Sequence, residues 1–230
     1  VGDALPFAIK LYESLLASVP NNEGLRLRTG SLYIMYANAF LQTPADMMPR
    51  QELDKKEFML ERAKNLYLRG RDILITGLEK KNPYLLQELK SRNYKEALAP
   101  YAKKDVPALY WAAAGWVGGF GVDPFDMKIG LTLPQAAAMM ERVIELEPEF
   151  NQGAVHNFYI LYYGSLPDYM GGDAKKAREH FQAAMAASGN RDTSPLISLA
   201  TTVDVKEQNV EEFRSLLQKV LDFDPNSDLD

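Results

Sequence analysis

The chain has 230 residues, 47% of them hydrophobic, with 31 acidic against 26 basic side chains and a net charge of −5. That length supports an ordinary hydrophobic core, and the acidic balance without a basic cluster argues against nucleic-acid binding. Cysteine is absent, which excludes disulfides, thiol nucleophiles and thiolate metal sites, and no run approaches the roughly 18 apolar residues that span a bilayer. Val1 to Pro6 shows no basic start, apolar run or cleavage site, so any export signal is expected to precede Val1.

In chain order, residues 4–20 predict an opening helix with Phe7, Leu11, Leu15 and Leu16 as its buried stripe and Pro20 as terminator. The segment EGLRLRTGSLYIMYANAF follows, with Gly30 allowing close helix approach and Tyr33 packing one turn later. Residues 41–55 (with QTPADMMPR) interrupt this hairpin before a second helix that ends near Pro83. Residues 83–107 predict one or two short helices, then a helix start with Asp105 as cap and Pro107 in the first turn. VPALYWAAAGWVGGF repeats the small-aromatic arrangement through Trp111, Ala114 and Gly115, and residues 118–133 interrupt it. GAVHNFYILYYG supplies Phe158 and Leu161, followed by an insertion over residues 163–171. KKAREHFQAAM then places Ala177, Phe181, Ala184, Met185 and Ser188 three and four apart, a small-large-small stripe on one helical face. The last pair runs from Ser194 to Pro225, with Ile197, Ala200 and Thr201 as its first stripe.

The second helices share a register. Counting back twelve, eight and five residues from Pro20 gives Ala8, Tyr12 and Leu15. From Pro148 the same steps give Ala136, Met140 and Val143, from Gly189 they give Ala177, Phe181 and Ala184, and from Pro225 they give Phe213, Leu217 and Val220. Arg71, Ile75 and Leu78 before Pro83 match more weakly. A helical hairpin recurring at about 34 residues predicts an all-α chain, an α-solenoid of about four cryptic, insertion-bearing tetratricopeptide-like hairpins plus extra helices. It is expected to form a single domain over 1–230, with repeats near 23–83, 106–148, 151–189 and 194–227.

Four phrases go beyond a generic repeat: YANAFLQTPADM (Tyr36 to Met47), AKNLYLRGRDILITGLE (Ala63 to Glu79), DVPALYWAAAGWVG (Asp105 to Gly118) and GAVHNFYILYYGSLPDYMGGDAKKAREHF (Gly153 to Phe181). In this order they resemble the TPR component of bacterial TRAP transporters, over nearly the whole chain. The resemblance implies a periplasmic lipoprotein, membrane-anchored through an N-terminal lipidated cysteine that this sequence lacks and that is expected upstream of Val1. It further implies a homotrimer, a ligand cleft or pore, and a partnership with the transporter's periplasmic substrate-binding protein.

In a repeat array the first helices line the concave side. Periodicity places Leu27, Ser31, Ile34 and Asn38 there from the first repeat, then Ala112, Trp116 and Phe120, then Gln152, Val155, Tyr159 and Tyr162, then Ser198 and Thr202. The candidate ligand contacts are therefore Ser31, Ile34, Asn38, Trp116, Phe120, Gln152, Tyr159, Tyr162 and Thr202, with His156 as a candidate polar anchor. Rings with a few amides and hydroxyls suit a small, partly hydrophobic ligand, an extended peptide or a partner helix. Asn38, in an apolar helix, is expected either to touch a ligand or to anchor the first insertion. Against these stand plainer readings. Trp111 reads as core, His156 as a satisfied core histidine and His180, beside Glu179, as solvated. Arg69, Arg71 and Asp72 read as an ion-pair network.

Catalytic chemistry is not visible. GGFG at 118–121 lacks the Lys-Ser or Lys-Thr of a phosphate loop, the two histidines lack metal-ligand spacing, and DFDPNSDLD lacks the closing Glu of a calcium loop. No cofactor is expected. The sequence points to a non-catalytic accessory of TRAP-type uptake, which docks the substrate-binding protein and relays ligand. The rivals are a plain interaction scaffold and a helical enzyme.

Overall fold

The structure, a computed structural model, describes residues 4–224, with Met170 through its backbone alone. Among the described residues every regular element is helical and no strand occurs. Pro225 and the acidic stretch after it lie outside the described residues. The chain divides into two compact units, one through Leu146 and one from Glu147 onward.

The first unit contains α1 (Leu5–Ser18), α2 (Glu23–Tyr36), a π-helical turn (Ala37–Gln42), α3 (Thr43–Asp46) and α4 (Leu53–Leu78). It continues with α5 (Leu85–Lys90), α6 (Tyr94–Leu98), α7 (Val106–Val122), α8 (Met127–Gly130) and α9 (Leu133–Leu146). The long helices pack in succession, α1 on α2, α2 on α4, α4 on α7 and α7 on α9. Asn22 starts α2 by accepting the Leu25 N–H at 2.9 Å, which satisfies one of the free amides of the first turn.

Three helices meet through glycine. A Cβ at Gly30 would lie 2.5 Å from Leu74 Cγ, and one at Gly115 would lie 2.9 Å from both Ile34 Cδ1 and the Tyr67 carbonyl oxygen. Gly70 faces the Gly30 backbone in the same way, so Ile34 sits as a shared ridge between Gly70 and Gly115. The expected small residue at Gly30 is therefore one part of a three-helix crossing.

Three sequence expectations are corrected in this unit. On α1 the buried residues are Ile9 and Leu16, whereas Phe7, Leu11 and Leu15 are exposed, Phe7 by 75%. The helix carries apolar residues on more than one side, and the face turned to α2 is the one with Ile9 and Leu16. On α7 the buried tryptophan is Trp116, and Trp111 is half-buried. Asp105 precedes α7 as expected, with Pro107 in the first turn, but makes no side-chain cap to that helix. Its Oδ2 accepts the Ala102 N–H and the Lys81 ammonium instead.

The second unit opens with a tight turn (Phe150–Gly153) in which Asn151 and Gln152 hold φ of 49° and 56°. Then come α10 (Ala154–Ser165), α11 (Ala174–Ala187), α12 (Ser194–Leu199), a second π-helical turn (Ala200–Asp204), α13 (Val205–Glu207) and α14 (Val210–Leu221). Asp173 caps α11 by accepting the Lys176 N–H at 3.0 Å. The stripe read on α11 is the core face. Ala177 and Ala184 are buried with Ile160, Leu196, Leu199, Ala200, Val203 and Leu216, and Phe181 and Met185 pack against them. On α12 the stripe is rotated from expectation. Leu196, Leu199 and Val203 are buried beside Ala200, whereas Ile197 and Thr201 face outward.

Candidate functional site

In the first unit one candidate, Asn38, lies on the π-helical turn. A π turn holds one residue more than an α turn, so it re-aims every side chain that follows. Asn38 and Gln42 lie on it, and the Tyr67 hydroxyl from α4 donates to Gln42 Oε1 at 2.6 Å. Asn38 lies near the same hydroxyl and is exposed at the surface. Burial pushes the Tyr67 phenol up to about 12, which keeps it protonated and a donor.

Upstream of the turn the candidates point inward. Ser31 is buried and donates to the Arg28 carbonyl of its own helix at 3.2 Å, and Ile34 fills the glycine crossing. Trp116, 5% exposed, donates its indole N–H to Thr132 Oγ1 at 2.8 Å, and Thr132 donates to the Ile129 carbonyl at 2.7 Å. The Arg71 guanidinium lies 5.0 Å from the Trp116 ring centre, within cation–π reach. Arg71 also pairs with Asp72 at 2.7 Å, as the sequence suggests, but Arg69 reaches instead to Glu13 on α1. Phe120 is half-buried with its ring against Gly130.

In the second unit Gln152 is exposed in the turn before α10, off the helix that was expected to carry it. Thr202 lies on the second π turn. Its hydroxyl donates to the Ser198 carbonyl at 2.6 Å, and it fills the space above Gly164. Tyr159 is 6% exposed, and Tyr162 is half-buried and stacks with Phe158 at 5.8 Å between centroids. His180 is half-buried where a solvated side chain was expected: its ring stacks on Tyr159 at 4.6 Å and 20°. His156 Nδ1 and His180 Nδ1 are 2.9 Å apart, so the two histidines have come together from α10 and α11. Burial pulls the His180 imidazole down to about 4, aided by His156 and Lys176, and burial also lowers His156.

Two charged clusters escaped the sequence reading. Arg178 on α11 binds Glu212 at 2.7 Å, Glu207 at 2.8 Å and the fully buried Asp204 at 3.4 Å. Lys64 on α4 holds Asp123 at 2.7 Å and Asp126 at 2.6 Å. Both join residues far apart in sequence, which no local pattern reports. Two depressions were missed as well. A groove of about 470 Å³ between α6 and α9 includes Tyr94, Leu98, Ala138 and Arg142 in its lining. A shallower one of about 440 Å³ is lined by residues including Arg178, Gln182 and Glu207. None of the ten sequence-derived candidates lines either.

Among the described residues no three histidine or acidic side chains converge to hold a metal ion. The arrangement offers ring faces, amides and hydroxyls, which are means of binding.

The model of the family described as TRAP transporter T-component matches residues 1–230. An uncharacterized protein of Treponema pallidum (strain Nichols) is 34% identical over 230 residues, covering 99% of this chain and 71% of its own. The chain belongs to the TRAP transporter T-component family. Its role is accordingly that of an accessory in a TRAP system. No helix among the described residues of this T-component is long and apolar enough to cross a membrane.

Proposed function

We propose that this T-component docks the periplasmic substrate-binding protein of its TRAP system through the insertions between its helices. The observation that carries the reading is that each insertion presents a nearly bare apolar side chain: Met47 is 74% exposed, Phe125 92% and Tyr169 86%. Scattered apolar residues are common on surfaces, but an aromatic or methionine at the head of every insertion fits the anchors by which partners bind. In the full proposal the hairpins form a tetratricopeptide-like solenoid, the chain is tethered to a membrane by an N-terminal lipid, and three copies associate. The candidates that keep some surface exposed for a small, partly hydrophobic ligand are Asn38 and Phe120 in the first unit and, separately, Gln152, Tyr162 and Thr202 in the second.

The test is a titration of the T-component with its cognate substrate-binding protein, with sedimentation to count subunits. Replacing Met47, Phe125 and Tyr169 together by Ser is expected to weaken binding at least roughly a hundredfold while the helical signal persists. Unchanged affinity would reject docking through the insertions. A second reading, an interaction scaffold without a ligand, is favoured by the burial of Ser31, Ile34, Trp116 and Tyr159. Native mass spectrometry of the protein with and without the Asn38→Ala and Tyr162→Ala changes separates the two. A small molecule retained by the parent and lost from the variant supports the ligand.

A further inference from the structure

The sequence holds two histidines, 24 residues apart, and the fold brings them into contact inside the second unit. Their Nδ1 atoms are 2.9 Å apart and their ring centroids 5.2 Å. The nitrogen separation plus two imidazole ring radii accounts for the whole centroid distance, so the rings meet nitrogen to nitrogen, head-on. A cation needs both lone pairs to converge on a third point, and these point at one another. What fits between them is a proton.

That geometry fixes the chemistry. In the neutral pair one ring carries its hydrogen on Nδ1 and donates to the bare Nδ1 of the other. One added proton leaves the bridge intact and makes it charge-assisted. A second puts an N–H on both facing nitrogens of two cations, and the 2.9 Å contact cannot survive.

Among the described residues no carboxylate is bonded to the pair to neutralise that second charge. From α10, Tyr159 stacks on His180 at 4.6 Å, Tyr163 stacks on it at 5.8 Å, and Tyr162 stands against both tyrosines. From α11 the near charge is Lys176, whose ammonium lies 5.2 Å from the Tyr163 ring and opposes further positive charge. Lys175 and Glu179 pair with each other on the outer side, and Arg178 is engaged by its three carboxylates. The 150–153 turn and α12 contain no ionisable side chain, and Asp204 of the second π turn faces Arg178. Among the described residues the charge acting on His180, apart from His156, is that of Lys176, and it carries the same sign.

We propose that His156 and His180 form a proton-counting latch between α10 and α11, closed with no added proton or one and forced open by two. Helix α11 is the main packing partner of α10, so the latch controls the central contact of the second unit and the tyrosine stack built on it. Both imidazoles have their protonation disfavoured by burial, which keeps the latch closed at neutral pH.

With two histidines in the chain, every imidazole signal in a long-range proton–nitrogen spectrum belongs to the latch. At pH 7 the expected result is one ring in the Nδ1–H tautomer and one in the Nε2–H tautomer. Titration is expected in two steps separated by roughly two units or more, both below the ordinary histidine value near 6.5. Amide protection factors in α10 and α11 should fall at least roughly tenfold over the second step. His180→Phe keeps a ring on Tyr159 and removes the proton site, so the same acidification should change its protection less than about twofold. Two Nε2–H rings at pH 7, independent titration near 6.5, or an undiminished acid response in His180→Phe would each overturn the latch. If His180→Phe does not fold by circular dichroism, the tautomers and the two-step titration of the unaltered chain decide the matter.

Discussion

A Cβ atom at Gly70 would lie 2.7 Å from the carbonyl oxygen of Gly30, so α2 and α4 meet backbone to backbone at this point. Neither backbone can give way, because Ile34 already fills the adjacent space at 2.7 Å from the same position. Gly70→Ala is therefore expected to cost about 3 kcal/mol, a fall of roughly 6–12 °C in Tm. Gly121, also helical, has no atom within 4 Å of its Cβ position. Gly121→Ala should leave stability equal or raise it by up to about 1 kcal/mol, since alanine is the better helix former. Thermal melts of the two variants check the contrast, and equal effects would mean that the crossing is not tight.

Trp116 and Thr132 form the polar link between α7 and the segment leading into α9, with the indole N–H at 2.8 Å from the threonine oxygen. Thr132→Val strands a buried donor and is expected to cost roughly 1–3 kcal/mol. Made in a Trp116→Phe background, where the indole donor is gone, the same change should cost about 1 kcal/mol less, the remainder being the Thr132 hydroxyl's bond to the Ile129 carbonyl. Urea unfolding of the four proteins measures that coupling. Additive losses would show that the hydrogen bond carries none of the stability.

How far the sequence reveals these features depends on where local periodicity holds. The α11 stripe is legible because Ala177, Phe181, Ala184 and Ser188 lie four, three and four apart, along an uninterrupted α-helix and its C-cap. His180 was misread from its neighbour Glu179, although it stands three residues after Ala177 and four before Ala184, on the packed side. The spacing held the signal. Asn38 and Thr202 are a different case, since both fall on π turns that shift the phase of the helix, and a period of 3.6 cannot anticipate the extra residue. On α1 two apolar stripes competed, and only the partner helix decides which one is buried. The Arg178 and Lys64 clusters join residues 26 to 62 positions apart and had no local trace at all.

Asp204 gives the second unit a pH dependence opposite in sign to that of the histidines. Burial, and then the neighbouring Glu212, raise its carboxyl to about 6 despite Arg178, and its Oδ2 finds no donor. A folded-state value above the unfolded one means that the proton binds more tightly in the folded protein. This contribution is fully present below about pH 4 and is lost as pH rises through about 6. Asp204→Asn cannot ionise and keeps the shape. It should be neutral near pH 4 and raise Tm by about 3 °C at pH 7. Melts at pH 4, 5, 6 and 7, read as variant minus parent, isolate this residue from the histidines. A lower Tm for the variant at pH 7 would mean that Asp204 is ionised and held by Arg178.

Lys64 tests whether the exposed tip of an insertion works as an anchor because it is held still. Its ammonium grips Asp123 and Asp126, the residues on either side of Pro124 and Phe125, and Asp126 also accepts the Lys128 and Ile129 amides that begin α8. The bracket fixes Phe125, 92% exposed, on a short turn fastened to α4. A partly exposed ion pair contributes about 1 kcal/mol or less to folding, so Lys64→Met should leave Tm within a few degrees of the parent. If presentation of Phe125 matters for docking, the same change should weaken binding of the substrate-binding protein roughly tenfold, because a mobile ring must be ordered on association. Phe125→Ser should weaken it at least as much. Calorimetric titration of both variants distinguishes the outcomes. Loss with Phe125→Ser but not with Lys64→Met would assign binding to the ring alone, and no loss with either would remove this insertion from the interface.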